Sequence, residues 1–158
     1  MEHMVPTRSQ IVSAFTPTVQ AYGEPHIVVG VDGSSYATSA LDYAAHQAER
    51  MGALLLVVCA YGMLPVGDSL IIPINLLHDE AAIVVREAVE RVVEKAPDVV
   101  AKGELVLGSP GPTLVEESEE ALALVVGPRG QGDIGGARLG SVSEYVVHHA
   151  TCTTIVVH

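Results

Sequence analysis

The chain reads as a doubly wound α/β domain: a five-stranded parallel sheet between two helical layers, with strand order 3-2-1-4-5. Three observations predict it. The strand candidates are continuous apolar runs such as HIVVGVD and ALLLVVCA, with no polar alternation, so both faces must be covered. Amphipathic helical segments separate them, which with right-handed crossovers leaves few ways of winding the sheet. Two strand ends, after the first and fourth strands, carry unusual chemistry, and they form one site only if those strands are neighbours whose helices leave in opposite directions.

In order, residues 1–25 mix Thr, Ser, Gln and Pro without clear periodicity and read as an N-terminal arm, flexible or docked on a partner. The domain proper is 26–158. His26 to Asp32 is the first strand, ending at Asp32-Gly33-Ser34-Ser35, where one serine should cap a helix from Tyr36 to Met51. Its 3.6-residue rhythm turns Leu41, Ala44, Ala45 and Ala48 to the sheet. Gly52 ends it, and Ala53 to Ala60 is the second strand. Tyr61 to His78, with two prolines and several large aliphatics, is too long for an ordinary turn and is read as a lid or a subunit contact. Asp79 to Ala96 is a helix with Ala82, Val85, Val89 and Val92 inward. Val100 to Leu107 is a third, more polar strand, expected at an edge. A Gly-Ser-Pro-Gly turn leads into a short helix, Pro112 to Glu120, whose acids should be solvated. Ala121 to Val126 is the fourth strand, Val142 to Ala150 the last helix, and Thr153 to His158 the fifth strand.

Of 158 residues, 49% are hydrophobic but only 4% aromatic, so the core must be built from Val, Leu, Ile and Ala. That apolarity excludes a disordered chain. A net charge of −11 argues against nucleic acid and anionic membrane as general partners. No run approaches membrane-span length, the first 25 residues lack a signal peptide's apolar centre, and Cys59 and Cys152 are expected as buried, reduced thiols. A cytoplasmic protein is the expectation. No metal-ligand spacing surrounds the cysteines or the seven histidines.

The chain is organised around Gly127 to Ser143, GPRGQGDIGGARLGSVS, a strand-to-helix connection with six glycines and two arginines. Glycine lets backbone approach a ligand closely, and amides at a helix start favour an anion. A Walker loop would need a lysine, and the two lysines, Lys95 and Lys102, lie elsewhere. A GxGxxG match at Gly130, Gly132 and Gly135 lacks the following helix and the acid about twenty residues on that dinucleotide binding requires, and is chance. The stretch reads either as a mobile glycine loop with solvated arginines or, as the paired strand ends favour, as a phosphate cradle in which Ser141 donates its hydroxyl or simply caps the last helix, and Arg129 or Arg138 adds a charge-assisted contact. Asp32, at a strand end that faces the crevice, either accepts hydrogen bonds from ribose or base or only starts a turn.

Gly127-x2-Gly130-x9-Gly140-Ser141, with VVGVDGS at 28–34, GSP at 108–110, VVGPRG at 125–130 and GSVSEYVVHHA at 140–150, resembles the universal stress protein family, in its ATP-binding branch. The resemblance covers about residues 26 to 158. It implies a Rossmann-like, adenine nucleotide alpha hydrolase-like domain that is usually a homodimer and binds ATP, with AMP or a cyclic nucleotide as alternatives and Mg²⁺ held through the phosphates. Matched by position, Val31 and Asp32 would approach adenine and ribose, and Cys59 with Val58 would line the base pocket. Gly127, Gly130, Gly140, Ser141 and Val142 would hold ribose and phosphates. Leu122 stands where the family often has Asp. Pro128, which lacks an amide, replaces a small polar residue and removes one donor.

The function expected is a nucleotide-dependent switch or sensor in the stress response. The alternatives are the same fold with an empty crevice acting as an interaction protein, and a slow ATPase. No general base or activated nucleophile accompanies the loop, so efficient hydrolysis is not expected. An enzyme on a related scaffold is disfavoured: no Cys-x5-Arg loop exists and aromatics to sandwich a flavin are scarce. Thr153 to His158 would be an apolar sheet edge, best covered by pairing with its copy in a second subunit.

Overall fold

A computed structural model of the chain describes residues 23–62, 74–131 and 138–158. Five strands, β1 (His26–Gly30), β2 (Leu54–Gly62), β3 (Ala101–Gly108), β4 (Ala123–Val126) and β5 (Thr153–Val156), form one parallel sheet in the order β3-β2-β1-β4-β5. Four helices connect them: α1 (Ser35–Met51), α2 (Ile74–Lys95), α3 (Pro110–Glu117) and α4 (Ser141–His149). The expected fold class and strand order are therefore present, with the polar third strand at an edge.

Successive residues of a strand point to opposite faces, and both faces here are apolar. Ile27, Val29, Leu55, Val57 and Val125 pack beneath α1 and α2, while Val28, Leu56, Val58 and Leu124 pack beneath α3 and α4. Register makes these layers continuous: Val29 lies between Val57 and Val125, and Val28 between Leu56 and Leu124. Hence the unbroken apolar runs.

Ser34 caps α1 by accepting from the Ala37 amide, and Gly52, with φ 60°, closes its end by donating to Ala48 and Glu49 carbonyls. Leu41, Ala44, Ala45 and Ala48 face the sheet as expected, joined by Ala37 and Ala40. Other expectations need correction. Helix α2 starts at Ile74, five positions before the Asp79 expected, so the end of the supposed lid is helical; 63–73 lie outside the described residues. Its buried stripe is Ala81, Val85, Ala88 and Val92, because Ala82 and Val89 sit one position off the line facing the sheet. Cys152 is only partly covered, whereas Cys59 is buried. No helix among the described residues is long and apolar enough to cross a membrane.

The acids at the end of α3 are not all solvated. Glu117 is half-buried beside Glu104 of β3, and burial, with the Glu104 charge adding to it, pushes its carboxyl up to about 7. Against an unfolded value near 4.5, folding then takes up a proton between those two pH values. The associated stability is fully present below pH 4.5 and lost as pH rises through 7. Because the carboxyl is only half-buried, the expected loss is about 1 kcal/mol rather than the full value of the shift. Urea unfolding at pH 5 and pH 8 checks it: Glu117→Gln should flatten that part of the pH dependence and stabilise the protein at pH 8.

Candidate nucleotide site

The neighbours β1 and β4 send their helices to opposite faces, α1 over one core and α4 over the other, which opens a crevice outside their carboxyl ends. On the β1 side, the Val31 amide donates to the Val58 carbonyl at 2.9 Å, prolonging the pairing by one residue. The chain then turns at Asp32, whose Oδ1 accepts from the Ser34 amide at 2.9 Å, a short loop that delivers Ser34 to its capping position.

On the β4 side the exit is fixed by contact. A Cβ on Gly127 would lie 3.0 Å from the Tyr36 carbonyl carbon, so the strand leaves directly against the first turn of α1. The buried carbonyl of Pro128 accepts from the Gly140 amide and from Ser143 Oγ, both at 2.7 Å. Ser143 Oγ also lies 3.0 Å from the Gly140 carbonyl. These bonds draw the two ends of the glycine loop into a neck. Arg129 Nε donates across it to the Arg138 carbonyl at 3.3 Å. Residues 132–137, the far part of the loop, lie outside the described residues.

The two strand ends meet. Asp32 Oδ2 accepts from the Gln131 amide at 2.8 Å, joining positions 99 residues apart. Gly130 lies so close that a Cβ there would come 2.5 Å from the same oxygen. Asp32, Gly127, Arg129, Gly130 and Gly140 are thus assembled around one neck, with Ser141 and Val142 opening α4 beside it. The N-cap of α4 is Gly140 and makes no side-chain capping bond, which corrects the reading of Ser141 as the cap: its exposed hydroxyl opens the helix, and the buried Ser143 makes the tie. First-turn amides without a capping side chain are what an anion uses.

Val31 and Cys59 lie on the α1/α2 side of the sheet, whereas the Val58 side chain is buried on the opposite face beneath α3. Neighbours on a strand cannot both face one pocket. Cys59 is held as a neutral thiol, pushed up to about 11 by burial and then by the charge of Asp32, so it offers a small apolar surface and no thiolate. A cleft of about 220 Å³ runs between α1 and α2 from Val31 and Gly33 past Thr38 and Val84 to Arg91. It does not lie over the α4 start. The two regions touch at Gly33, where a Cβ would be 3.2 Å from both Gln131 Nε2 and Val84 Cγ2. Arg91 gives this cleft no free cation, because it pairs with Asp42 through two bonds of 2.6 and 2.8 Å. The uncapped amides that suit an anion therefore lie at the start of α4 and not in this cleft.

Gln131, Ser143 and the Pro128 carbonyl were not anticipated as parts of the site. For Ser143 a signal existed: it shares the inward stripe of α4 with Val146, and a polar residue on such a stripe needs a partner. No group of three or more His, Cys, Asp or Glu able to hold a metal ion occurs among the described residues.

Comparison with known proteins gives concordant findings. Residues 25–158 match the model of the universal stress protein family. Universal stress protein Rv2005c of Mycobacterium tuberculosis is 33% identical over 130 residues, covering 82% of this chain and 44% of that protein. The chain thus spans less than half the length of the curated relatives it matches. A crystal structure of a universal stress protein in complex with cAMP is 31% identical, with a TM-score of 0.65 over 85% of this chain and 97% of that one. A universal stress protein of Archaeoglobus fulgidus in complex with dAMP is 26% identical, with a TM-score of 0.66 over 85% of this chain and 98% of that one.

Proposed function

We propose that this chain, which belongs to the universal stress protein family, binds an adenine nucleotide where β1 and β4 end and acts as a ligand-dependent switch or sensor in the cytoplasm. The observation that carries this reading is the bond between Asp32 and the Gln131 amide, which brings a carboxylate and a glycine-rich neck into one crevice. Solved relatives described as complexes with cAMP and dAMP support an adenine ligand. In this reading Val31, Asp32 and Cys59 contact base and ribose, with Val58 contributing backbone rather than side chain. Gly127, Gly130, Gly140, Ser141 and Val142 receive the phosphates, assisted by Arg129. ATP is the first candidate, AMP or a cyclic nucleotide the next. A Mg²⁺ would be held through the phosphates. Turnover should be slow: among the described residues, the carboxylate bonded to the loop, Asp32, already accepts backbone amides at both oxygens.

Mass spectrometry of ligand released from fresh protein, followed by calorimetric titration with ATP, AMP and cAMP, tests the reading. Wild type should bind at least one of them. Gly130→Asp, which sets a second carboxylate against Asp32, should weaken that binding by about tenfold or more, with circular dichroism confirming retained fold. No binding by wild type would leave an interaction protein with an empty crevice. We further propose that the β5 edge, where Thr154, Ile155 and Val156 are only partly covered, pairs with its copy in a homodimer. A monomer in sedimentation at micromolar concentration would remove that pairing.

A further inference from the structure

We infer that Asp32 is a positioning residue that latches the glycine loop to β1, and that Gly130 is glycine because this latch requires it. The inference rests on the reading of the crevice as a nucleotide site only for its effect on affinity. The latch itself is made by the chain's own atoms. Its two bonds are those from the Ser34 amide to Oδ1, at 2.9 Å, and from the Gln131 amide to Oδ2, at 2.8 Å. The first fixes the carboxylate to the start of α1, and the second holds the loop to that fixed point. Each is charge-assisted, so each is stronger than a neutral pair of the same length.

Gly130 completes the argument. Its hypothetical Cβ would sit 2.5 Å from Asp32 Oδ2, closer than any real side chain tolerates. The backbone cannot easily retreat. Three residues upstream, Gly127 is pressed against the Tyr36 backbone, and the neck is closed by the Pro128 carbonyl with the Gly140 amide. A side chain at position 130 therefore expels the carboxylate, and the Gln131 amide loses its acceptor. The glycine that sequence reasoning assigns to phosphate approach is already demanded by the protein's own carboxylate.

Two consequences concern the ligand. Because the Gln131 amide is committed to Asp32, phosphates must use amides nearer the start of α4. Because bonds within the chain hold the loop's first half, less of the binding free energy goes into ordering it. Asp32 thus contributes to affinity through the loop as well as through any contact of its own.

A double-mutant cycle on the full chain tests this: Gly130→Ala, Asp32→Ala and the pair, with Asp32→Asn as the conservative variant. Two quantities are read, exchange of the Gln131 amide without nucleotide and ATP affinity by calorimetry. In Asp32→Ala, Gln131 exchange should quicken by about tenfold or more, and Asp32→Asn should restore part of the protection through its amide oxygen. Gly130→Ala should weaken ATP binding by about tenfold alone but by less than about twofold in the Asp32→Ala background. Equal Gly130→Ala losses in both backgrounds, or unchanged Gln131 exchange in Asp32→Ala, would overturn the latch. If wild type binds none of ATP, AMP and cAMP, the functional reading fails, while the exchange comparison still decides the latch.

Discussion

Gly127→Val should cost about 2–4 kcal/mol of stability and disturb the crevice from its β4 side. The position follows Val126, the buried last residue of a central strand, and an added Cβ would meet the Tyr36 carbonyl carbon and Cβ at 3.0 Å and its oxygen at 3.1 Å. Two of those atoms are backbone in the first turn of a helix, which a rotamer change cannot move aside. Removing a glycine also stiffens the unfolded chain, a gain of about 0.4–1 kcal/mol, smaller than the overpacking cost and opposite in sign. Separation of β4 from α1 would also carry Gln131 away from Asp32, so slower folding is not required for binding to suffer. Urea denaturation gives the stability and ATP titration the affinity. An unfolding free energy within about 0.5 kcal/mol of wild type would mean that the strand exit has room the structure does not show.

How much of this was legible in the chain depends on what kind of partner each residue has. Val28–Val29 and Leu55–Val57 announce central strands because both their faces are covered, so no alternation is left to misread. The start of α2 was missed for the opposite reason. Its first residues include exposed Ile74 and Leu76, which carry no capping signal, whereas Asp79 resembles a cap and lies inside the helix. Ala81 and Ala88 take the places expected for Ala82 and Val89 while Val85 and Val92 stay, because those two valines mark the centre of the stripe and the error lay in which flank joins them. The meeting of Asp32 with the glycine loop was legible through topology alone: neighbouring strands with diverging helices leave a crevice at their carboxyl ends. The burial of the Val58 side chain on the face opposite Cys59 follows from the two-residue period of a strand and could have been drawn from adjacency. Gln131 and the Pro128 carbonyl were not legible, since their bonds depend on how the neck closes in space.

Ser143 and Ser141 stand two residues apart at the start of α4, and substitution should separate their roles. Ser143 is 3% exposed, and its hydroxyl proton can go to the Pro128 carbonyl at 2.7 Å or the Gly140 carbonyl at 3.0 Å. Ser143→Ala removes that donor inside a buried neck and should cost about 1–3 kcal/mol, with the Pro128 carbonyl left to the Gly140 amide alone. Ser141 is exposed and does not cap the helix, so Ser141→Ala should change stability by no more than about 0.5 kcal/mol. If phosphates meet the helix start as proposed, binding should respond in the other way. Ser141→Ala would lose a hydroxyl donor to the ligand and weaken ATP about three- to tenfold in a protein that melts normally. Ser143→Ala should lower the urea midpoint first and affinity in proportion to how far the neck opens. Equal stability losses from the two serines would remove Ser143 as the tie, and an unaltered ATP affinity in Ser141→Ala would move the phosphates off the start of α4.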